Sequence, residues 1–415
     1  MNLHATPPGD IGSSIAEAAE ALGDEIAALR RAIHADPELG LETPRTLAKV
    51  KDALADLPLE WREGPQTTGA VAVLKGRGPA TGKRRRVVLR GDMDALPLAE
   101  ETGLPFASQI TGRMHACGHD GHTAMLVGAA KLLAERSGDF DGEVWLMFQP
   151  GEEGFGGGRM MVEDGLLTDE HGPPDACFAL HVMPNARHGQ IACIPGPLMA
   201  ASDTLQVVVK GSGGHASMPH GAADPMPVAA EIVTALQAMV TRQFDAGEPV
   251  VVTVTRIEAG HADNVIADAC TMRGTLRTLS DETRARLPQA IERLATNIAA
   301  AHGLSAEVTV KPGFPVTVND PRAFALAREV AVREFGADSF ETLKRPLMTA
   351  EDFSYVLNHA PGAMLFLGVA REGDDWSQCC GLHSPRMHMD ETALPRGAAL
   401  LAALGLAVLQ KGLPA

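Results

Sequence analysis

Three short apolar runs, Val71–Leu74, Val87–Leu89 and Val144–Phe148, are bounded by polar or glycine-rich stretches, and a helical pattern over 123–136 separates the last two. Runs of that length without polar alternation predict strands buried on both faces. Strands separated by helices imply an α/β layer with a largely parallel sheet. Residues 13–34 carry apolar positions at helical spacing, with Ser13 or Ser14 placed to cap the first turn.

From about residue 200 the pattern changes. Leu205–Val209, Val250–Ile257, Ala269–Thr278 and Ala306–Val310 read as strands, with helices over 226–241 and 281–302. The order β-α-β-β-α-β is the split, ferredoxin-like unit. Its length of about a hundred residues suits a compact inserted domain. After residue 315 the first pattern resumes and ends in an apolar helix over 394–410. The expected division is therefore 1–199, 200–315 and 316–415, with the outer two pieces forming one domain.

Composition narrows the function. Lys+Arg number 36 against 52 Asp+Glu, a net charge of −16. That balance argues against a nucleic-acid partner, which requires a positive footprint. No span is expected to reach the roughly 18 apolar residues that cross a bilayer, and Ala398–Leu409 reads as a buried terminal helix. The first residues lack a basic-then-apolar leader pattern. The six cysteines form no small-domain framework, and Cys379 and Cys380 are adjacent, where a bridge is strained. A reduced, cytoplasmic setting is the expectation.

Histidine carries the chemistry. His115-Ala-Cys117-Gly-His119-Asp120-Gly-His122 lies in a glycine-punctuated loop just before the 123–136 helix. Thiolate and imidazole together suit zinc and similar ions. Asp92 and Asp94 follow the Val87–Leu89 strand, where an open α/β sheet places its ligand sites. Their spacing points both the same way, as ligands or as carboxylates that orient a ligand histidine. Glu152 and Glu153 follow the next strand, His181 ends another, and His383 stands near the C-terminus. Each alone is weak, since a lone histidine is more often a satisfied core group. Metal-compatible residues at successive strand ends together indicate a site with enough ligands for two ions. Such a site best supports attack of activated water on a carbonyl. Two other readings stay open: a thiol hydrolase with Cys117 as nucleophile and His119 or His122 as base, and a non-catalytic metal or ligand binder.

The sequence resembles the metal-dependent aminoacylase and carboxypeptidase superfamily, in the branch of hippurate hydrolase and indole-acetyl-amino-acid hydrolases. The likeness runs from about residue 26 to 410. It rests on RRAIHADPELG (30–40), RGDMDALP (90–97), GRMHACGHDGHTAML (112–126), FQPGEEG (148–154), ALHVMP (179–184), GSGGHASMPH (211–220), NVIAD (264–268), GTLRTL (274–279), AEDFSYVL (350–357) and LHSP (382–385). It implies a mixed-sheet α/β catalytic domain of the zinc-peptidase type, with the inserted ferredoxin-like domain as lid and dimerisation module. It further implies two divalent ions (Zn, Mn, Ni or Co) held by Cys117, His119, Glu153, His181 and His383, with Cys117 at or near the bridge. Glu152 becomes the general base and Asp94 its support. His215 becomes the oxyanion donor reaching across a dimer, while Asn264, Arg277 and His220 hold substrate. The implied activity is cleavage of an N-acyl amino acid by a homodimer or homotetramer, with dipeptidase or carboxypeptidase action as the alternative. His34, His122 and His388 read as structural or supporting. Thr349 stands where the branch commonly has glycine.

Overall fold

The computed structural model describes residues 14–80, 82–371, 373, 375, 378 and 380–415. Ser13, Cys379 and the N-terminal stretch discussed above lie outside the described residues. Two compact units are present. The first comprises the chain up to Cys193 together with Asp320–Thr342 and His359–Ala415; the second comprises Ile194–Asn319 with Leu343–Asn358.

The first unit is built on an eight-stranded mixed sheet. Its order is Leu59–Glu63, Ala70–Lys75, Gly142–Gln149, Arg85–Asp92, Ala176–Met183, Gly362–Gly368, Ile191–Cys193 and Phe340–Thr342. The four central strands, from Gly142–Gln149 to Gly362–Gly368, run parallel. The antiparallel pairings lie outside these four. Strand Arg85–Asp92 has Gly142–Gln149 on one side and Ala176–Met183 on the other, so successive crossovers leave in opposite directions. That reversal opens a crevice at the carboxyl ends of three neighbouring strands.

Helices cover the sheet, which explains the unbroken apolar runs: Val71 to Leu74, Val87 to Leu89 and Val144 to Phe148 are all fully buried. The terminal helix Leu394–Lys411 packs against helix His119–Glu135 and strand Arg85–Asp92. Its apolar run is longer than expected. Glu391–Lys411, 21 residues of hydropathy 1.7, passes the length and composition test for a membrane span, but 89% of its apolar window is buried in the protein. It is a core helix. The predicted helix over 13–34 is two helices, Ile15–Ala21 and Gly23–His34. Ser14 caps the first in a reciprocal box with Glu17. The break falls at Leu22-Gly23, where glycine weakens helix propagation.

The second unit contains a four-stranded antiparallel sheet in the order Val250–Glu258, Ala269–Thr278, Ala201–Lys210 and Ser305–Lys311. Helices Pro225–Gln243 and Asp281–Ala301 complete the ferredoxin-like arrangement. Strand Ala201–Lys210 alternates buried and less buried positions, as a sheet packed mainly on one face requires. Leu343–Asn358, which the sequence division assigned to the returning first domain, clusters with this unit. Leu347 N–H donates to the Leu198 carbonyl at 2.8 Å, and Tyr355 Oη donates to the Gly313 carbonyl at 3.1 Å. Long-range backbone bonds of this kind leave no local sequence signal.

Leu404 is fully buried in the terminal helix. Leu404→Ala is expected to lower unfolding stability by about 3 kcal/mol, a transfer and cavity loss read as a lower urea midpoint.

Candidate metal centre

The first element of the site is the end of strand Arg85–Asp92. Asp92 is fully buried and takes bonds on both oxygens, Arg90 Nη1 at 2.5 Å and His122 Nδ1 at 2.6 Å. Thr123 Oγ1 donates to its carbonyl at 2.5 Å. Helix His119–Glu135 starts after Gly118, whose φ of 85° is left-handed, and a Cβ there would lie 2.3 Å from Val182 Cγ2. Glycine is therefore required where the loop turns into the helix. His119 sits in the first turn, with His122 three residues on along the same side.

Around His119 the structure gathers the other donors. Cys117, His119 and His181 form one triad of potential ligand atoms; Cys117, Glu153 and His383 form another; His119, Glu152 and Glu153 form a third. Cys117, His119 and Glu153 each belong to two of the three. Cys117 Sγ is 3.5 Å from His181 Nε2, and His383 Nε2 is 3.2 Å from Glu153 Oε1. His383 has a φ of 64°, and its N–H donates to the Ala116 carbonyl at 2.8 Å, which fastens its loop to the cysteine loop. Its side chain is 54% exposed and marks the open side of the cluster.

Asp94 works on the backbone. Its two oxygens accept the N–H groups of Glu152 at 3.0 Å and Glu153 at 3.1 Å, so one carboxylate shapes the turn that presents both glutamates. Asp92 and Asp94 both stand beside His119. They approach opposite nitrogens of His119, at 3.6 and 3.5 Å.

The electrostatics suit a cation. Burial opposes ionisation of Asp92, but the Arg90 guanidinium and the neighbouring histidines hold it well below the usual carboxylate range. Burial likewise opposes charge on His119, yet Asp92 and Cys117 raise it well above an ordinary imidazole. The Cys117 thiol is pushed up by burial. Burial, reinforced by His122, keeps His181 neutral. Both ring nitrogens of His119 are buried without a hydrogen bond, although polar groups stand around them. Buried polar atoms in that state are rare unless a ligand completes them. Mixed sulfur, nitrogen and oxygen donors fit a borderline-soft divalent ion, so the residues present fit a metal.

A charged layer supports the loop. Asp120 Oδ2 is 2.8 Å from His34 Nδ1 and forms an ion pair with Arg30, 2.7 Å from its Nε, while His34 Nε2 faces Glu100 Oε1 at 3.2 Å. Burial opposes charge on His34, but Asp120 and Glu100 raise it above an ordinary imidazole. Burial opposes ionisation of Glu100, but the His34, Thr102 and Ser108 hydrogen bonds lower it to about 2. Sequence reasoning named His34 and His122 as supporting residues but missed Arg30, Arg90, Glu100 and Gln149. Arg90 Nε donates to Gln149 Oε1 at 2.9 Å. Only the periodic burial of polar residues beside the motifs could have pointed to these.

The remaining predicted residues are in the second unit. Val265 pairs with His215, and the Ala216 N–H donates to the Asn264 carbonyl at 3.0 Å, so Asn264 lies in the turn leading into the strand that pairs with His215. His215 Nδ1 is bonded to Ser217 Oγ at 2.8 Å. Arg277 is half-buried, and its Nη1 donates to the Leu276 carbonyl at 2.9 Å. His220 is exposed in a single turn, Pro219–Gly221. Thr349 is exposed, with its carbonyl accepting the Ala200 N–H at 2.8 Å. In the first unit, His388 is exposed, its Nδ1 bonded to the Arg386 carbonyl at 3.2 Å.

Residues 88–407 match the model of peptidase family M20/M25/M40. The chain belongs to this family. It is 37% identical to N-acetylcysteine deacetylase of Bacillus subtilis, over 92% of this chain and 96% of that one. It is also 37% identical to thermostable carboxypeptidase 2 of Saccharolobus solfataricus, over 92% and 95%. Among solved structures, a dinuclear metal-binding peptidase of the M20 family from B. subtilis superposes with a TM-score of 0.81 at 34% identity, covering 94% of this chain and 99% of that one. Family membership makes the protein a metal-dependent hydrolase of amide bonds.

Because Glu100 is depressed in the folded state, its contribution to stability is complete above about pH 4.5 and is lost as pH falls towards about 2. Glu100→Gln is expected to flatten that acid limb in urea melts, and an unchanged limb would remove Glu100 as its source. Arg30→Met strands the Asp120 carboxylate in the interior. It should cost about 3 kcal/mol in the same measurement.

Proposed function

We propose that the substrate is an N-acyl amino acid, cleaved into a carboxylic acid and a free amino acid. The observation that carries this is the turn held by Asp94, which places Glu152 and Glu153 side by side at the cluster. One carboxylate then serves as ligand while its neighbour is left for proton transfer. Likeness to a deacetylase of an acetylated amino acid favours the acyl class. The likeness to a carboxypeptidase keeps peptide-bond cleavage as the second reading.

In this reading Cys117, His119, Glu153, His181 and His383 hold two divalent ions, as the dinuclear relative suggests. Bound ions supply Lewis acidity to the amide carbonyl and lower the pKa of water. Glu152 takes the proton of the attacking water on its carboxylate and delivers it to the departing nitrogen, as general base and then general acid. Asp94 keeps that carboxylate aimed by gripping its own backbone. His215 is assigned the oxyanion hydrogen bond. Asn264, Arg277 and His220 are assigned to the substrate, with Arg277 suited to a carboxylate. We further propose a homodimer or homotetramer in the cytoplasm, where Cys117 stays reduced.

The thiol-hydrolase alternative with His122 as base is weakened by the geometry. His122 has both nitrogens engaged, by Asp92 and by the Val182 N–H, and burial raises the Cys117 thiol. Neither pattern activates a nucleophile.

A screen of N-acetyl, N-benzoyl and N-indoleacetyl amino acids beside dipeptides is expected to show turnover of the acyl amino acids. Chelator should abolish it, and Zn, Mn, Ni or Co should restore it; turnover surviving chelation would overturn the metal reading. Glu152→Gln should retain the ions by elemental analysis and lose about 100-fold or more in kcat. Preferential hydrolysis of peptides would move the protein to the second reading.

A further inference from the structure

His181 must present a lone pair at Nε2 to serve as a ligand, and its tautomer is set by its surroundings. His181 Nδ1 lies 2.7 Å from the Val182 carbonyl. A carbonyl only accepts, so Nδ1 carries the proton and Nε2 is free towards Cys117 Sγ at 3.5 Å. The N–H of the same residue is also held. The Val182 N–H donates to His122 Nε2 at 2.8 Å. A backbone N–H only donates, so His122 Nε2 is the acceptor and its proton is on Nδ1, directed at Asp92 Oδ1 at 2.6 Å. The Nδ1 proton of each ring follows from its hydrogen-bond partners. Every member of the chain is buried: Asp92, His122, Val182 and His181 are each at most 6% exposed.

We propose that His122 is a positioning residue, linked through Val182 to His181, and that it fixes His181 in the tautomer able to bind an ion. The chain runs from Asp92 to the His122 ring, then to the amide N–H and carbonyl of Val182, and ends at His181 Nδ1–H. Accepting the Val182 N–H orients that residue, and so the direction in which its carbonyl, one peptide unit further on, meets His181. The partner of a ligand histidine's second nitrogen usually sets its orientation and basicity. Here that partner is a backbone carbonyl, so another side chain has to hold the backbone. The 4.5 Å edge contact between the two rings keeps them in register. The inference rests on the metal reading of the site, not on the choice of substrate.

Two substitutions separate positioning from packing. Asparagine at 122 puts its amide nitrogen near the place of Nδ1 and keeps a donor to Asp92, but has nothing to accept the Val182 N–H. Glutamine reaches the place of Nε2 with its amide oxygen and restores that acceptor. Zinc release from the fully loaded protein, followed by competition with a chromogenic chelator, is expected to show affinity weakened about 10- to 100-fold in His122→Asn and close to wild type in His122→Gln. Circular dichroism tests that both variants are folded. Equal weakening in both, or in neither, would overturn the proposal. A second measurement needs no variant: nitrogen-15 histidine spectra of the wild-type protein should show His181 and His122 both protonated at Nδ1. A proton at Nε2 of either ring would refute the chain. Neither readout involves substrate, so failure of the acyl-amino-acid reading leaves this test intact.

Discussion

A buried carboxylate, Asp92, is the constraint on which the rest of the site depends. It has no water to solvate it, so the fold has to supply its partners from elsewhere in the chain: Arg90 along the strand, and His122 from the following helix. Leaving any of those bonds unmade would cost far more than the bond contributes in net terms. The carboxylate therefore dictates how helix His119–Glu135 docks on the strand, and with it where His119 stands. Asp94 repeats the logic two residues later through backbone amides, and so determines where the glutamate turn lies.

Much of this was legible in the sequence because the strands of a sheet covered on both faces have to be apolar throughout. The strands Arg85–Asp92, Gly142–Gln149 and Ala176–Met183 were readable for that reason, and so were the polar residues that interrupt them at their ends. The grouping of Cys117, His119, Glu153, His181 and His383 was carried by resemblance, since His383 lies far along the chain from the rest. It reaches the cluster through a left-handed backbone and a bond to Ala116 that no local pattern announces.

What the residues did not disclose has a common physical origin. The break at Leu22-Gly23 depends on how two helices meet the terminal helix, where a Cβ on Gly23 would sit 3.4 Å from Pro395. Leu343–Asn358 joins the second unit through bonds to Leu198 and Gly313, both far away in sequence. Supporting charges such as Arg30 and Glu100 look like ordinary surface residues until burial is known. In each case tertiary contacts override or supplement local preference.

The terminal helix bears on how the chain is made. All four strands of the ferredoxin-like sheet lie between residues 201 and 311, so the ribosome delivers them before it reaches the last hundred residues. The sheet around the metal ligands is different. Strand Gly362–Gly368 and helix Leu394–Lys411 occupy its interior and are synthesised later. Until they emerge, the apolar faces of helix His119–Glu135 and strand Arg85–Asp92 stay uncovered, and surfaces of that kind on a nascent chain are targets for chaperones. The order of translation thus separates the two sheets in time: the inserted one can form while its host is still waiting for its core, and Leu343–Asn358 joins it later.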